Sequence, residues 1–247
     1  MPPPFPAAGY SEDIIRRVRV VFNGKYVADA KKPKLVWERP YYPIYYFSQS
    51  DVVKDKYLAN ETKTDQPGVL LYDLVVGDRT SPSAVTVFTS GDFEGYAKIG
   101  IDKADAWFEE DERVYSHPKD PYKRIQILQS SKHVRVEIDG VEVANTTHPK
   151  LLYETGLPIR KYIPHTDVRL DLLKPDEKLK TSCPYKGDAD YYVVELPNGQ
   201  EKTGLAWWYK NPTAESVEIK GYIAFYDEKV DIWVDGVKEE KPVSPFT

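Results

Sequence analysis

The sequence is poor in the residues that build disulfides and metal sites. Its 247 residues include one cysteine, four histidines and one methionine. One cysteine cannot form an internal disulfide or a cysteine-rich zinc site. The sequence also lacks an apolar run long enough to span a bilayer, and its amino terminus lacks the basic start and apolar core of a secretory signal. We therefore expect a soluble, cytoplasmic protein with no membrane partner.

Dense clusters of lysine and arginine are missing as well. The net charge is −5 and the pI about 5.5, which disfavours nucleic acid as a partner. Tyrosine and proline are abundant, with 19 and 20 residues, and aromatic residues make up 13% of the chain. This composition favours strands and loops over helices.

An internal repeat organises the chain. Arg17–Phe22 alternates like a strand and is followed by Asn23-Gly24, a favoured hairpin turn. The same pattern returns at His133–Ile138 with Asp139-Gly140. A shift of 116 residues gives 13 identities over residues 18–52. The sequence therefore predicts two tandem copies of one small antiparallel β domain.

The repeat and the composition together predict the boundaries of the domains. They are an N-terminal proline-rich arm at 1–13, a first β domain at 14–115, a linker at 116–121, a second β domain at 122–237 and a tail at 238–247. Helix signals are weak, with short candidates at Ile101–Phe108 and Pro212–Glu215. The shift of 116 also places Asp111–Val114 opposite Asp227–Val230.

One stretch of the second copy concentrates residues that could carry chemistry. Cys183-Pro-Tyr-Lys-Gly187 combines the only cysteine, a lysine and a turn-forming glycine. The first copy has Pro67–Leu71 at this place, without a cysteine or a matching lysine. This difference predicts a functional site in the second copy and a structural role for the first. The same stretch could also be a tight turn between two strands.

Five motifs of the second copy, in this order, resemble a known family. They are Glu154-Thr-Gly-Leu-Pro158, Tyr162–Val168, Cys183–Gly187, Ala206–Tyr209 and Tyr222–Tyr226. On these motifs the chain is identified as a tandem member of the domain of unknown function 427 family, also catalogued as a nucleotidyltransferase-like domain. The resemblance implies a mainly β, β-tent-like fold in two copies. Many tents carry zinc on paired Cys-x-x-Cys turns, which this sequence lacks.

Three residues are candidates for catalysis. Cys183 could be a nucleophile or could fill a turn. Lys186 could bind an anionic or carbonyl group, could form a Schiff base, or could be a solvated turn residue. Glu154 could act in acid–base chemistry, although Glu38 takes its place in the first copy, which favours a structural role.

The candidate ligand-binding residues are mostly aromatic. They could wall a flat ligand, although core packing explains many buried aromatics equally well. They comprise Tyr162, Tyr185, Gly187, Tyr191, Trp207, Trp208, Tyr222, Tyr226, Arg160 and His165. Gly187 is expected to have a positive φ or to permit a close approach of another segment. Arg160 is expected at an exposed rim.

These candidates lead to three alternatives for function. The first is a small-molecule enzyme that uses no metal and no cofactor, with an aromatic-lined pocket in the second domain. The second is a non-catalytic module that binds a small ligand or a peptide. The third is nucleotidyl transfer, for which Asp188-Ala-Asp190 has the spacing of a metal-binding pair. The sequence disfavours it, because a Gly-Ser turn and a phosphate-binding glycine-rich loop are missing.

Overall fold

The computed structural model describes residues 6–52 and 54–244, without the side chains of residues 54 and 55. The chain divides into two compact units, and the boundary along the sequence lies between Pro121 and Tyr122. The predicted arm at 1–13 and the predicted tail at 238–247 lie partly outside the described residues. Within the arm, Gly9 donates its backbone N–H to the carbonyl of Trp37, and Trp37 donates to Tyr10, so this part of the arm is bonded to the first unit.

The first unit consists of two antiparallel sheets. Its strands are β1 (Ser11–Asp13), β2 (Val18–Phe22), β3 (Lys25–Ala30), β4 (Lys34–Val36), β5 (Ile44–Ser48), β6 (Leu58–Lys63), β7 (Val69–Val76), β8 (Arg79–Phe88), β9 (Tyr96–Ile99), β10 (Ala106–Glu109) and β11 (Glu112–Val114). One sheet has the order β1-β4-β5-β9-β8-β7-β6 and the other β11-β10-β2-β3. One α-helix, α1 (Lys54–Tyr57), and two 3-10 turns (Gln49–Asp51 and Ile101–Lys103) complete the unit.

The second unit repeats this architecture. Its strands are β12 (Ile125–Gln129), β13 (Val134–Ile138), β14 (Val141–Thr146), β15 (Lys150–Glu154), β16 (Arg160–Pro164), β17 (Leu173–Cys183), β18 (Gly187–Glu195), β19 (Glu201–Tyr209), β20 (Tyr222–Phe225), β21 (Asp231–Val234) and β22 (Val237–Lys238). The sheet orders are β12-β15-β16-β20-β19-β18-β17 and β14-β13-β21-β22. Three 3-10 segments are His165–Asp167, Leu170–Leu172 and Ala214–Ile219. The prediction of two tandem, mainly β domains is confirmed.

The opening hairpin of each unit follows directly from its sequence. Alternate residues of β2 and β13 are buried and point to the core. Asn23 and Gly24 have φ of 44° and 70°, and Asp139 and Gly140 have 49° and 79°. Positive φ at both central residues gives the turn whose twist matches the strands, so the predicted hairpins are confirmed.

Two expectations about the later part of the repeat are wrong. Residues 101–108 do not form a helix, because the 3-10 turn at 101–103 leads into strand β10. The pairing of residues 111–114 with 227–230 also fails. Trp107 pairs with Val20 and Ile232 pairs with Val136, so the shift between the units has grown from 116 to 125 residues. Insertions between the hairpin and the last strands explain the change.

The segment expected to be a linker packs against the first unit. The indole of Trp37, which is fully buried, donates a hydrogen bond of 3.0 Å to the carboxylate of Asp120, itself 3% exposed. The ring of His117 stacks on Tyr42 at 4.4 Å. A buried tryptophan N–H needs an acceptor, and the linker provides it.

The large sheet of the second unit buries side chains on both faces. One face meets the four-stranded sheet across the main core, where Ile163, Ala206 and Ile223 pack. The opposite face, which we call the aromatic face, carries a second cluster: Leu152, Tyr162, Ala189, Tyr191, Trp207, Tyr209, Ile219 and Ala224. Within the described residues, no helix has the length and apolar character needed to cross a membrane.

Candidate functional site

The Cys-Pro-Tyr-Lys-Gly motif is the turn that joins β17 to β18. Cys183 ends one strand, Gly187 begins the next, and the two residues pair across the hairpin. Tyr185 is buried, and its carbonyl accepts hydrogen bonds from the hydroxyls of Thr213 and Ser216. The turn is therefore held against the 3-10 segment at 214–219, which fixes the direction of Lys186.

Gly187 allows this close packing. Its φ is +100°, and a Cβ built on it would lie 3.0 Å from the carbonyl oxygen of Asn211. The backbone N–H of Thr213 donates to the carbonyl of Lys186 at 3.2 Å. Both alternatives predicted for Gly187, a positive φ and a close approach, are present together. Gly187 therefore allows the turn to pack closely against residues 211–213.

Lys186 and Glu154 form an ion pair with little exposure to solvent. The ammonium of Lys186 donates to Oε2 of Glu154, and their side chains are only 13% and 7% exposed. Glu154 is the last residue of β15, so its position depends on the sheet, whereas Lys186 reaches it from the turn. Coulomb interactions strengthen where water is excluded, so the low exposure of this pair strengthens the attraction between its two charges.

Cys183 lies among buried hydroxyls on the aromatic face. It is only partly buried and is a free thiol. Burial raises the pKa values of Tyr162 and Tyr209 well above their usual range, and negative charge on Cys183 or Glu154 would raise both further. Both tyrosines are therefore neutral.

Further from the turn, the aromatic face carries a cluster of rings beside Arg160. The rings of Trp207 and Tyr226 lie 4.3 Å apart, and the guanidinium of Arg160 lies 5.3 and 5.4 Å from their centres. The hydroxyl of Tyr191 is 3.3 Å from that of Tyr226 and 3.0 Å from Thr181 Oγ1. Cation–π contacts of this kind orient the rings as well as the cation.

Arg160 is not at an exposed rim, as the sequence suggested, but is 8% exposed. Its Nη1 lies 2.7 Å from Asp227 and 3.0 Å from Glu228, and its Nη2 donates to Glu228 at 3.1 Å. Burial alone would raise the pKa of Glu228, but hydrogen bonds from Arg160 and Ser244 outweigh it and lower the pKa to about 2. A planar guanidinium suits this two-carboxylate arrangement.

Lys161 extends this buried ionic cluster, which the sequence reading missed. Its ammonium lies 2.6 Å from Asp227 and 2.7 Å from Glu239. Burial lowers the pKa of Lys161, but the two carboxylates raise it above its ordinary value. Adjacent acids after the strand motif Tyr222–Tyr226 are the only sequence signal for this cluster.

Two of the predicted ligand-binding residues lie on the opposite face. Trp208 packs against the main core, and the ring of His165 meets it edge-on at 5.0 Å. His165 Nε2 is 3.5 Å from the hydroxyl of Tyr192. Tyr222 does belong to the aromatic face, where Lys150 lies 5.2 Å from its ring centre.

Asp188 and Asp190 alternate with Ala189 and Tyr191, so they too point away from the aromatic face. Asp188 accepts a hydrogen bond of 2.6 Å from Ser182, and Asp190 lies 3.1 Å from the ammonium of Lys180. No three His, Cys, Asp or Glu side chains of the described residues converge as a metal site would require.

The first unit does place a lysine beside the equivalent glutamate, which corrects the sequence reading. Lys98, on β9, binds Oε1 of Glu38. The same oxygen accepts a hydrogen bond of 2.5 Å from the hydroxyl of Tyr46, the counterpart of Tyr162. Comparison of residues 67–71 alone misses this lysine, because it lies on a strand distant in sequence.

Comparison with known proteins agrees with the internal repeat. The family model described as domain of unknown function 427 matches the chain twice, over residues 11–104 and 126–236. No curated protein matches the chain. The two matched regions cover most of both units, and each includes one of the two glutamate–lysine pairs.

Proposed function

Because the chain belongs to the domain of unknown function 427 family, whose description names no reaction, we propose its function from the site. We propose that the second unit is an enzyme acting on a small organic molecule without a metal or a cofactor. The reaction class is proton transfer next to a carbonyl group. Glu154 is the base, and Lys186 donates a hydrogen bond to the carbonyl oxygen.

The observation that supports this proposal is the ion pair between Lys186 and Glu154. A carboxylate and an ammonium side by side offer a proton acceptor and a donor within one small region. Their side chains are 13% and 7% exposed, so a bound substrate would complete their removal from water. When a proton leaves carbon to Glu154, negative charge develops on the carbonyl oxygen, and Lys186 stabilises it.

The aromatic face supports a flat substrate. Tyr222 and Tyr226 are only partly buried, whereas Tyr162, Tyr191 and Trp207 are packed behind them. A conjugated ring can lie against the two partly buried tyrosines. Cys183 contributes a wall of the site in this proposal. Each of the three histidines of the second unit has a hydrogen-bond partner other than Cys183. His133 bonds to Asn145, His148 to Thr147 and His165 to Tyr192.

A second candidate is a binding module that carries out no reaction. The ion pair between Lys186 and Glu154 favours it, because each charge is already compensated by the other without a bound substrate. The same aromatic side chains would then hold a ligand that leaves unchanged. The two candidates differ in whether Glu154 exchanges a proton with bound carbon.

Deuterium exchange separates them. Phenylacetone, a flat ketone with acidic protons beside its carbonyl, is incubated in D₂O and followed by proton NMR. We expect the protein to accelerate exchange, and Glu154→Gln to lower the rate by a factor of about 100 or more. Lys186→Met should also slow it, and Cys183→Ser should not.

Glu142→Gln is a matched control, because Glu142 is an exposed carboxylate on the four-stranded sheet of the same unit. Equal exchange in wild type and Glu154→Gln would refute the role of Glu154. Binding of phenylacetone without any acceleration would support the binding module instead.

A further inference from the structure

The two units assemble the same three groups from different parts of the chain. Glu38 and Tyr46 of the first unit correspond to Glu154 and Tyr162 of the second. The lysines of the two units, Lys98 and Lys186, do not occupy equivalent positions. Lys98 pairs with Thr86 on the neighbouring strand, and the residue in its place in the second unit is Ala224, which pairs with Trp207. Each unit therefore supplies a lysine to its glutamate by a separate route.

Stability alone is a weak explanation for this arrangement in the first unit. The side chains of Lys98 and Glu38 are 26% and 32% exposed. Ion pairs this close to solvent contribute about 0–1 kcal/mol. Tyr46 already gives Glu38 a hydrogen bond, so the lysine is not required to satisfy the carboxylate.

Aromatic side chains pack around Tyr46, the tyrosine that is bonded to Glu38. The ring of Tyr46 stacks on Phe88 at 5.1 Å and meets Phe93 edge-on at 4.8 Å. The ammonium of Lys98 lies 5.9 Å from the centre of the Tyr46 ring. Phe88 and Phe93 are only partly buried, so a flat group can reach them together with the exposed part of the pair.

We propose that the first unit is itself a binding site, for a flat, neutral molecule that carries a hydrogen-bond donor next to an acceptor. The donor is bound by Glu38, the acceptor by Lys98, and the ring lies against Phe88 and Phe93. A cyclic amide has this pattern of groups. The site uses no residue of the second unit and does not depend on the reaction proposed there.

Saturation-transfer NMR on the full chain tests this proposal with 2-pyridone as the probe. We expect 2-pyridone to bind and its N-methyl derivative, which lacks the donor for Glu38, to bind at least tenfold more weakly. Glu38→Ala and Lys98→Met should each weaken 2-pyridone binding about tenfold. Thermal unfolding checks that both variants remain folded.

Two controls locate the site. Lys25→Met changes an exposed lysine of the four-stranded sheet of the same unit and should leave binding intact. Lys186→Met alters only the second unit, so it shows whether the probe binds there instead. No binding to wild type, equal binding of the N-methyl compound, or wild-type affinity in both Glu38→Ala and Lys98→Met would overturn the proposal. Loss of binding in Lys186→Met alone would assign the probe to the second unit and overturn it too.

Discussion

The two units place a glutamate and a tyrosine at equivalent positions but enclose them differently. In the second unit, the Lys186 turn packs onto the segment at 214–219 and leaves the Glu154 side chain 7% exposed. In the first unit, Lys98 comes from a strand of the sheet itself, and the Glu38 side chain remains 32% exposed. The same backbone frame thus supports a closed and an open version of one charge arrangement.

The strand that carries the tyrosine, β5 or β16, shows a second contrast. Arg160 and Lys161 of the second unit take the places of Ile44 and Tyr45 of the first. Tyr45 is neutral, because burial raises its pKa, and it donates to Glu109. Where the first unit uses a neutral tyrosine that donates to a carboxylate, the second uses buried cations, which need several partners at once.

Removal of Arg160 is the strongest way to test this contrast. Arg160→Met leaves Glu228 buried without its main partner, and we expect a loss of about 3–5 kcal/mol in the free energy of unfolding. Ile44→Met, at the equivalent position, should cost less than about 1.5 kcal/mol. Urea unfolding of both variants provides the comparison. Equal losses would show that the buried charges do not distinguish the units.

Acid should weaken the same cluster. The folded pKa of Glu228 is about 2, below its ordinary value of 4.5. Its stabilisation is therefore complete above pH 4.5 and is lost as the pH falls from about 4.5 towards 2, a loss of about 3 kcal/mol. Urea unfolding at pH 5 and pH 2.5 measures most of this loss, about 2 kcal/mol. Glu228→Gln should lose less stability over this interval, and an unchanged pH dependence would contradict the assignment.

Glycines with positive φ permit a finer test. Gly187 of the motif turn and Gly77, in the turn between β7 and β8 of the first unit, both have positive φ, so alanine is strained at either place. A Cβ at Gly187 would lie 3.0 Å from the backbone carbonyl oxygen of Asn211, whereas one at Gly77 has only the side-chain amide of Asn23 nearby, at 3.4 Å. We expect Gly187→Ala to cost about 1–2 kcal/mol more than Gly77→Ala. Thermal unfolding compares them, and a smaller cost for Gly187→Ala would argue against tight docking of the turn.

The two lysines should differ least. Lys186→Met leaves the carboxylate of Glu154 with little solvent, at a cost of about 2 kcal/mol. Lys98→Met leaves Glu38 partly solvated and still bonded to Tyr46, so its cost should stay below about 1 kcal/mol. Chemical denaturation at pH 7 distinguishes them. A larger loss for Lys98→Met would reverse our description of the open and closed pairs.

Local signals in the sequence predicted much of the fold. Asn23-Gly24 and Asp139-Gly140 mark hairpins, because their φ preferences act within two residues. The predictions that failed depend on contacts between residues that are distant in the sequence. The sequence of residues 106–109 predicts part of a helix, and only the pairing of this segment with β2 shows that Trp107 belongs to the sheet.

For the candidate site too, the sequence predicted the location of some residues and not of others. The motif at 183–187, Glu154 and five of the aromatic residues do share one face, but Trp208 and His165 lie on the other. Neighbouring residues of a strand point to opposite sides, and the sequence does not say which side is covered. The buried partners of Arg160 are 67 and 68 residues away along the chain, beyond any local pattern.

The sequence by itself determined the duplicated β architecture, the hairpin turns and the position of the motif turn. Repeats, alternation and turn chemistry are properties of neighbouring residues, so they can be read without coordinates. Only the tertiary structure decided that Lys98 reaches Glu38, that Lys186 reaches Glu154 and that Arg160 is buried. A charge pair depends on which strands become neighbours, and strand order is fixed by the packing of the whole unit.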